Sequence, residues 1–360
     1  MPSNWKRYKL SDALEIKYGK DHKKVKEGNI PIYGTGGIMR YGDQALYDKE
    51  TILIPRKGSL NNIFYLNQPF WSVDTIFWSK INEQVAFPKY LFYNLTILDF
   101  ASMDVGSAIP SLTTELLKKI EIRLPSLNEQ QSISQILSTI DDKIQNNLAI
   151  NKTLEEMAMA LYKHWFVDFG PFQDGEFVES ELGLIPEGWE RGVLEDLLEI
   201  KYGKDHKKLK EGTIPVYGSG GVMRYANESL YDQESILIPR KGTLSNLFYV
   251  SEPFWSVDTM FYSKIKDLTF GKYTFHFLKT LDLASMDVGS AIPSLTTELL
   301  KKIEVIIPPK HVVTKFDDLM NSKFKTMESN VRENQTLTQL RNTLLPKLIS
   351  GEIRLKEFRE

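Results

Sequence analysis

The chain is written twice, and this constrains its fold more than any other feature. Residues 14–80 and 198–264 align without a gap at an offset of 184, with 48 identities in 67 positions. Most of the differences are conservative, such as Val25/Leu209, Ile32/Val216, Thr35/Ser219, Ile38/Val222 and Ser59/Thr243. One residue is lost between Ile81 and Pro88, the offset becomes 183, and residues 101–121 recur unchanged as 284–304. A weaker match continues through Pro125/Pro308, Asn147/Asn330, Asn151/Asn334, Leu154/Leu337 and Leu161/Leu344, and upstream through Pro2/Pro186 and Trp5/Trp189. A period of about 183 residues is too long for a stacked solenoid unit, so each copy is the size of a domain. Two copies of one site presented to one partner are expected, because a repeated ligand needs repeated readers.

Each copy has two parts. The first mixes short apolar runs with Gly, Pro and Asn. Thr51-Ile52-Leu53-Ile54-Pro55 and the run from Phe70 to Trp78 read as strands. Tyr33-Gly34-Thr35-Gly36-Gly37 and Pro55-Arg56-Lys57-Gly58-Ser59 read as turns. Residues 88–100 have helical spacing, and a second short helix opens near Ser111 with an approximate capping box. The second part is one long helix. After Pro125, residues Ile133, Leu137, Ile140, Ile144, Asn147, Asn151, Leu154, Ala158, Leu161 and Trp165 step alternately by four and three. That is a heptad seam. Met320, Phe324, Met327, Val331, Asn334, Thr338, Arg341 and Leu345 repeat it in the second copy, with a stutter upstream. Two such stripes in one chain are expected to pack on each other. Asn147, Asn151, Asn330 and Asn334 put amides in the seam, where they cost stability and fix register. An antiparallel arrangement places Asn151 near Asn334.

Charge enters through its distribution. The net charge is −2, which by itself advertises no nucleic-acid or membrane partner. Residues 17–26 hold five Lys and one Asp, a local +4, and residues 201–210 repeat it; removing both from −2 leaves −10 on the rest. Lys17, Tyr18, Lys20, His22, Lys23 and Lys24, with Lys201, Tyr202, Lys204, His206, Lys207 and Lys208, form two basic loops suited to phosphate. Arg40, Arg56 and Lys57, with Arg224, Arg240 and Lys241, offer donors for guanine edges or phosphates. Tyr33 and Tyr217 are candidates for sugar or base contact, and Gly36, Ser59, Gly220 and Thr243 lie in the adjoining turns. Asp74 and Asp258, within Trp-Ser-Val-Asp-Thr, either accept from cytosine amino groups or orient an arginine.

Catalytic signatures are missing from the sequence. There is no phosphate-binding Gly-x-x-x-x-Gly-Lys-Ser/Thr loop, no dinucleotide fingerprint after a strand and no Asn-Pro-Pro-Tyr/Phe segment. No cysteine is present, and the five histidines lie far apart with no metal-binding pair. Glu15-Ile16-Lys17 and Glu199-Ile200-Lys201 match a nuclease Glu-x-Lys pattern that is common by chance. No apolar run approaches 18 residues, so no membrane partner and a cytoplasmic location are expected. A DNA-binding regulator and a protein-binding scaffold stand as rival readings.

The arrangement resembles the specificity (S) subunit of a type I restriction–modification system. Carrying the resemblance are Gly106-Ser107-Ala108-Ile109-Pro110-Ser111-Leu112-Thr113 and Ile120-Glu121-Ile122-Arg123-Leu124-Pro125-Ser126-Leu127-Asn128-Glu129-Gln130. His164-Trp165-Phe166-Val167-Asp168-Phe169, Gly183-Leu184-Ile185-Pro186-Glu187-Gly188-Trp189 and the tail from Leu344 to Ile353 add to it. Lys310-His311 departs from the pattern where the first copy has Asn128-Glu129. The resemblance implies an α/β fold: two similar target recognition domains joined by two long helices packed as an antiparallel coiled coil, in a pseudo-two-fold, circular organisation. The expected divisions are a first recognition domain at 1–125, a spacer helix at 126–167, a linker at 168–188, a second recognition domain at 189–308, and a second helix with its tail at 309–350. It further implies a non-catalytic reader of double-stranded DNA with two methyltransferase (M) subunits and restriction (R) subunits as partners. S-adenosylmethionine, ATP and magnesium belong to those partners, and this chain carries no cofactor or metal. Because the two domains are nearly the same, an inverted-repeat target is expected.

Overall fold

A computed structural model of the chain describes residues 4–103, 111–286 and 294–356. Residues 106–110 of the resemblance motif and their repeat 289–293 lie outside these. The chain forms two compact units, one of residues 1–148 with 331–360 and the other of residues 149–330.

In the first unit β1 (Lys6–Lys9) leads through the short α1 (Leu10–Ala13) into β2 (Leu14–Tyr18). The hairpin β3 (Ile30–Gly34) and β4 (Gly37–Gly42) follows, then β5 (Thr51–Pro55), β6 (Phe64–Leu66), β7 (Trp71–Ser72) and β8 (Ile76–Ile81). Next come α2 (Pro88–Thr96), α3 (Thr114–Lys118), β9 (Glu121–Leu124) and the long α4 (Leu127–Phe166). Three sheets result: β2-β8-β5-β6, β4-β3-β7 and β1-β9. β5 is buried at all five positions because it lies between β8 and β6 with both faces covered.

The run from Phe70 to Trp78 is two strands rather than the expected one. β7 pairs in parallel with β3, whereas β8 runs antiparallel to β2 and β5 in the neighbouring sheet. The chain changes sheets at Val73-Asp74-Thr75, and that corner lifts Asp74 into solvent. The helix expected over 88–100 ends at Thr96, and Phe100–Met103 forms a separate 3₁₀ turn. At α3 the cap is Thr113, whose hydroxyl accepts from the Leu116 N–H, rather than Ser111.

In the second unit a hairpin of β10 (Phe177–Ser180) and β11 (Gly183–Pro186) precedes β12 (Glu190–Val193), α5 (Leu194–Leu197) and β13 (Leu198–Tyr202). β14 (Ile214–Gly218), β15 (Gly221–Ala226), β16 (Ser235–Pro239), β17 (Phe248–Val250), β18 (Trp255–Ser256) and β19 (Met260–Ile265) repeat the first unit strand for strand. α6 (Gly271–Thr280), α7 (Thr297–Lys301), β20 (Glu304–Ile307) and the long α8 (Lys310–Ser350) complete the chain. The sheet orders are β13-β19-β16-β17, β15-β14-β18 and β12-β20, the same topology. Trp165 and Trp189, from two of the resemblance motifs, both pack on Phe166 and Phe172, which makes those motifs core.

Both long helices contribute to both units. In the first, Ile133 and Leu137 of α4 and Leu348 and Ile349 of α8 close the apolar core. Successive contacts there run Asp141–Arg341 (2.9 Å), Lys143–Glu333 (3.0 Å) and Asn147–Asn334 (2.9 Å). From Asp141–Arg341 to Asn147–Asn334 one residue number rises by six while the other falls by seven, so the segments are antiparallel. In the second unit Asn330 Nδ2 donates to Asn151 Oδ1 at 2.8 Å, and Asn151 Nδ2 to the Met327 carbonyl at 3.1 Å.

The register therefore differs from the expected Asn151–Asn334 pairing. Val331, placed in the seam by the heptad count, is 49% exposed, and Asn330 turns inward instead. The displacement is local to this position, since Met320, Phe324, Asn334 and Arg341 of α8 face inward as counted. Shifted by the repeat offset of 183, Asn147–Asn334 becomes Asn330–Asn151, so the duplication builds the same pair twice.

Packing above the pairs differs between the copies. In the first unit the Tyr93 hydroxyl donates to Asp141 Oδ2 at 2.6 Å while Arg341 holds Oδ1. The equivalent positions in the second unit are His276, Phe324 and Ala158, all buried in an apolar and aromatic core.

Candidate nucleic-acid interface

The lysine loop of each copy leaves the end of a strand and is tied to the β3-β4-β7 or β14-β15-β18 sheet. Gly19 opens it because nothing larger fits: a Cβ there would lie 2.0 Å from the Val73 carbonyl oxygen, and the same distance separates Gly203 from Val257. The Lys20 N–H then donates to the Ser72 carbonyl at 2.8 Å, and Trp71 Nε1 donates to the Lys20 carbonyl at 3.0 Å. Asp21 accepts from the Lys23 N–H at 3.0 Å, which holds its carboxyl below the usual range.

Arg40 is spent on this loop. Its Nη2 donates to the His22 and Val25 carbonyls at 2.6 and 2.8 Å, and its Nε to His22 Nδ1 at 3.2 Å. Arg224 does the same work through the Leu209 carbonyl at 2.9 Å. The expected role of these two arginines as forks for DNA is thereby replaced by a loop clamp. Two other candidates are turned inward as well. Tyr33 is 7% exposed, packs on Phe64, and has its hydroxyl pKa raised by burial. Tyr217 is partly buried against Phe248, with its pKa pushed up to about 12 by burial. Lys17 and Lys201 are ion-paired to Glu15 and Glu199 two residues earlier on the same strand face. This pairing also accounts for both Glu-x-Lys patterns.

What remains outward is compact. Lys20, Lys23 and Lys24 are exposed, as are Lys204, Lys207 and Lys208, and none has an ion pair among the described residues. Beside the loop is a hollow of ≈ 660 Å³, walled by Asp21, His22 and Lys23, by Gly34, Thr35, Gly36 and Met39 of the hairpin, and by Val73, Asp74 and Thr75 of the sheet-switching corner. Gly36 leaves space there, since a Cβ on it would meet nothing within 4 Å. Asn62 braces the hairpin tip through the Thr35 carbonyl at 3.1 Å, as Asn246 does through Ser219 at 2.9 Å. Met39 is 58% exposed and Tyr18 53% exposed, so the rim combines cations with apolar surface.

Arg56 stands on the same rim. Its backbone N–H and that of Lys57 donate to the Thr75 carbonyl at 2.9 and 3.2 Å, and its carbonyl accepts from Leu112 at 2.9 Å. Its guanidinium lies 5.4 Å from the Tyr18 ring centroid and donates to the Asp74 carbonyl at 3.1 Å. Arg240 repeats this with Tyr202 at 5.3 Å and Asp258 at 3.3 Å. Lys57, Ser59, Lys241 and Thr243 are exposed around it. Gly58 reverses the chain with φ +87°, a backbone conformation that favours glycine.

The structure thus gathers Tyr18, Lys20, His22, Lys23, Lys24, Gly36, Arg56, Lys57, Ser59 and Asp74 on one surface, and their repeats on an equivalent one. Sequence reasoning missed Thr35, Met39 and Thr75, which line the hollow. The hairpin Gly-Thr-Gly-Gly, repeated as Gly-Ser-Gly-Gly, and the retained Met39/Met223 were the available signal. Among the described residues no group of three or more His, Asp or Glu could hold a metal, and no helix is long and apolar enough to cross a membrane.

Comparison with known proteins bears on both copies. Residues 2–156 and 186–339 match the model of the type I restriction modification DNA specificity domain. The MjaIX type I restriction enzyme specificity subunit of Methanocaldococcus jannaschii is 26% identical, over 99% of this chain and 95% of that protein. The HindI specificity subunit of Haemophilus influenzae is 26% identical over 76% of this chain and 79% of its own length. In fold, the chain is similar to a crystal structure of the type I restriction–modification system S subunit from M. genitalium, with TM-score 0.66, 19% identity and 96% of each chain covered.

Proposed function

The chain belongs to the type I restriction modification DNA specificity family, and from that premise we propose that it is a reader of double-stranded DNA whose two surfaces recognise the same half-site. It is a non-catalytic subunit. The observation that carries the reading is that the residues walling the hollow recur almost unchanged in the second copy. Of the ten residues lining it, nine are identical at the equivalent positions of the second copy, and the exception, Thr35/Ser219, keeps its hydroxyl. Arg56, Lys57 and Tyr18 are also unchanged as Arg240, Lys241 and Tyr202. Equal chemistry reads equal bases.

The lysine loops supply phosphate contacts that set register, and the rim residues of each copy supply base contacts. Helix segments pair antiparallel in each unit, and the reading takes the two surfaces to meet the duplex in opposite directions. The target is then an inverted repeat with an unspecified gap whose length the helices set. Methyltransferase subunits, taken as two, dock on the chain and carry S-adenosylmethionine; restriction subunits bring ATP and magnesium. The complex works in the cytoplasm. Sequencing duplexes selected from a random pool, by the chain assembled with its methyltransferase, tests this. One element and its reverse complement at fixed spacing is the expected product. Absence of any enriched sequence overturns the reading, and enrichment by the chain alone favours a free-standing regulator.

A further inference from the structure

We propose that Arg56 and Asp74, and separately Arg240 and Asp258, read one G·C base pair in each half-site through its major-groove edge. This rests on the proposed function and assigns chemistry to two residues within it. The guanidinium of Arg56 is fixed on one side by the Tyr18 ring at 5.4 Å and at Nη1 by the Asp74 carbonyl at 3.1 Å. The contact to Asp74 uses the backbone oxygen, not the carboxylate. Asp74 is exposed at the corner where the chain changes sheets, and its carboxylate has no partner among the described residues. A donor fork and a lone acceptor therefore stand side by side on one rim. The second copy reproduces both holds on the arginine, at 5.3 and 3.3 Å.

That pair of groups selects among ligands. A phosphate needs donors alone, and a carboxylate beside the fork repels it. A G·C pair presents two adjacent acceptors, guanine N7 and O6, followed by the cytosine N4 amino donor. Arginine donates to the first two and aspartate accepts from the third. An A·T pair puts a donor and an acceptor in other places and adds a methyl group, so it leaves one of the two residues unpaired. Tyr18 and Tyr202 are positioning residues that keep the fork from collapsing onto the aspartate.

The test uses the full chain assembled with its methyltransferase and a set of duplexes in which each base pair of the target is changed in turn. Wild-type complex is expected to show one G·C position per half-site at which any change weakens binding about tenfold to a hundredfold. Arg56→Ala with Arg240→Ala should flatten the preference at that position in both half-sites, and Arg56→Ala alone in one. Asp74→Ala with Asp258→Ala should relax the same position without weakening binding to unrelated DNA, since the carboxylate removed repels phosphate. Arg56→Lys with Arg240→Lys keeps the charge and the fold but loses the fork, and should also relax it. A half-site lacking such a G·C position overturns the assignment, as do lysine variants with the wild-type pattern and affinity, while the reader itself stands. Absence of any sequence preference in the wild-type complex overturns the underlying reading instead.

Discussion

Replacing Lys20, Lys23 and Lys24 by alanine, together with Lys204, Lys207 and Lys208, isolates the electrostatic part of binding. All six side chains are exposed and free of ion pairs among the described residues. Each lysine that neutralises a phosphate contributes about −0.9 to the slope of log affinity against log salt, so six contribute about −5. Raising salt from about 50 to about 200 mM then weakens the wild-type complex about 10³-fold more than the six-lysine variant. Titrating a labelled duplex into the chain–methyltransferase complex at several salt concentrations measures both slopes. The preferred sequence should not change, because phosphate contacts position the protein and base contacts specify the site. Lys17→Ala with Lys201→Ala is the internal control: those amino groups are engaged by Glu15 and Glu199, and the slope should move by less than about one. An unchanged slope in the six-lysine variant would refute the loops as phosphate contacts.

Two further predictions concern the helices and the cores they close. Arg341→Ala leaves Asp141, 26% exposed, with the Tyr93 hydroxyl alone and should destabilise the chain by about 1–3 kcal/mol in urea unfolding; adding Asp141→Ala should recover part of the loss, and strict additivity would count against the pair. His276 is packed against Tyr162 and Phe324, and burial pushes its pKa from 6.5 down to about 4. The unfolded chain takes up that proton first, so stability is lost as pH falls below about 6.5 and levels off near 4, by up to about 3 kcal/mol; His276→Phe should flatten the profile, and an identical pH dependence would sink the idea.

The repeat makes the architecture legible in the sequence. Self-similarity at domain length, a heptad seam after each copy, and loop residues retained while neighbours drifted together pointed to paired readers on helices. What the sequence hid was local. Heptad counting put Val331 in the seam because it is apolar, yet it is Asn330 that pairs with Asn151 while Val331 is exposed. Arg40 looked like a DNA contact because a guanidinium suits both roles, and only the fold shows His22 and Val25 carbonyls lying within its reach. The ambiguity at Asp74 was of the same kind. One residue has both a backbone oxygen and a carboxylate, and the structure uses the first for Arg56 and leaves the second exposed.

The claim that two equal surfaces read equal half-sites is tested most directly by mapping modified adenines across a genome carrying this system. The account predicts one motif followed, after a constant gap, by its reverse complement. Two unrelated half-sites flanking the gap would contradict it.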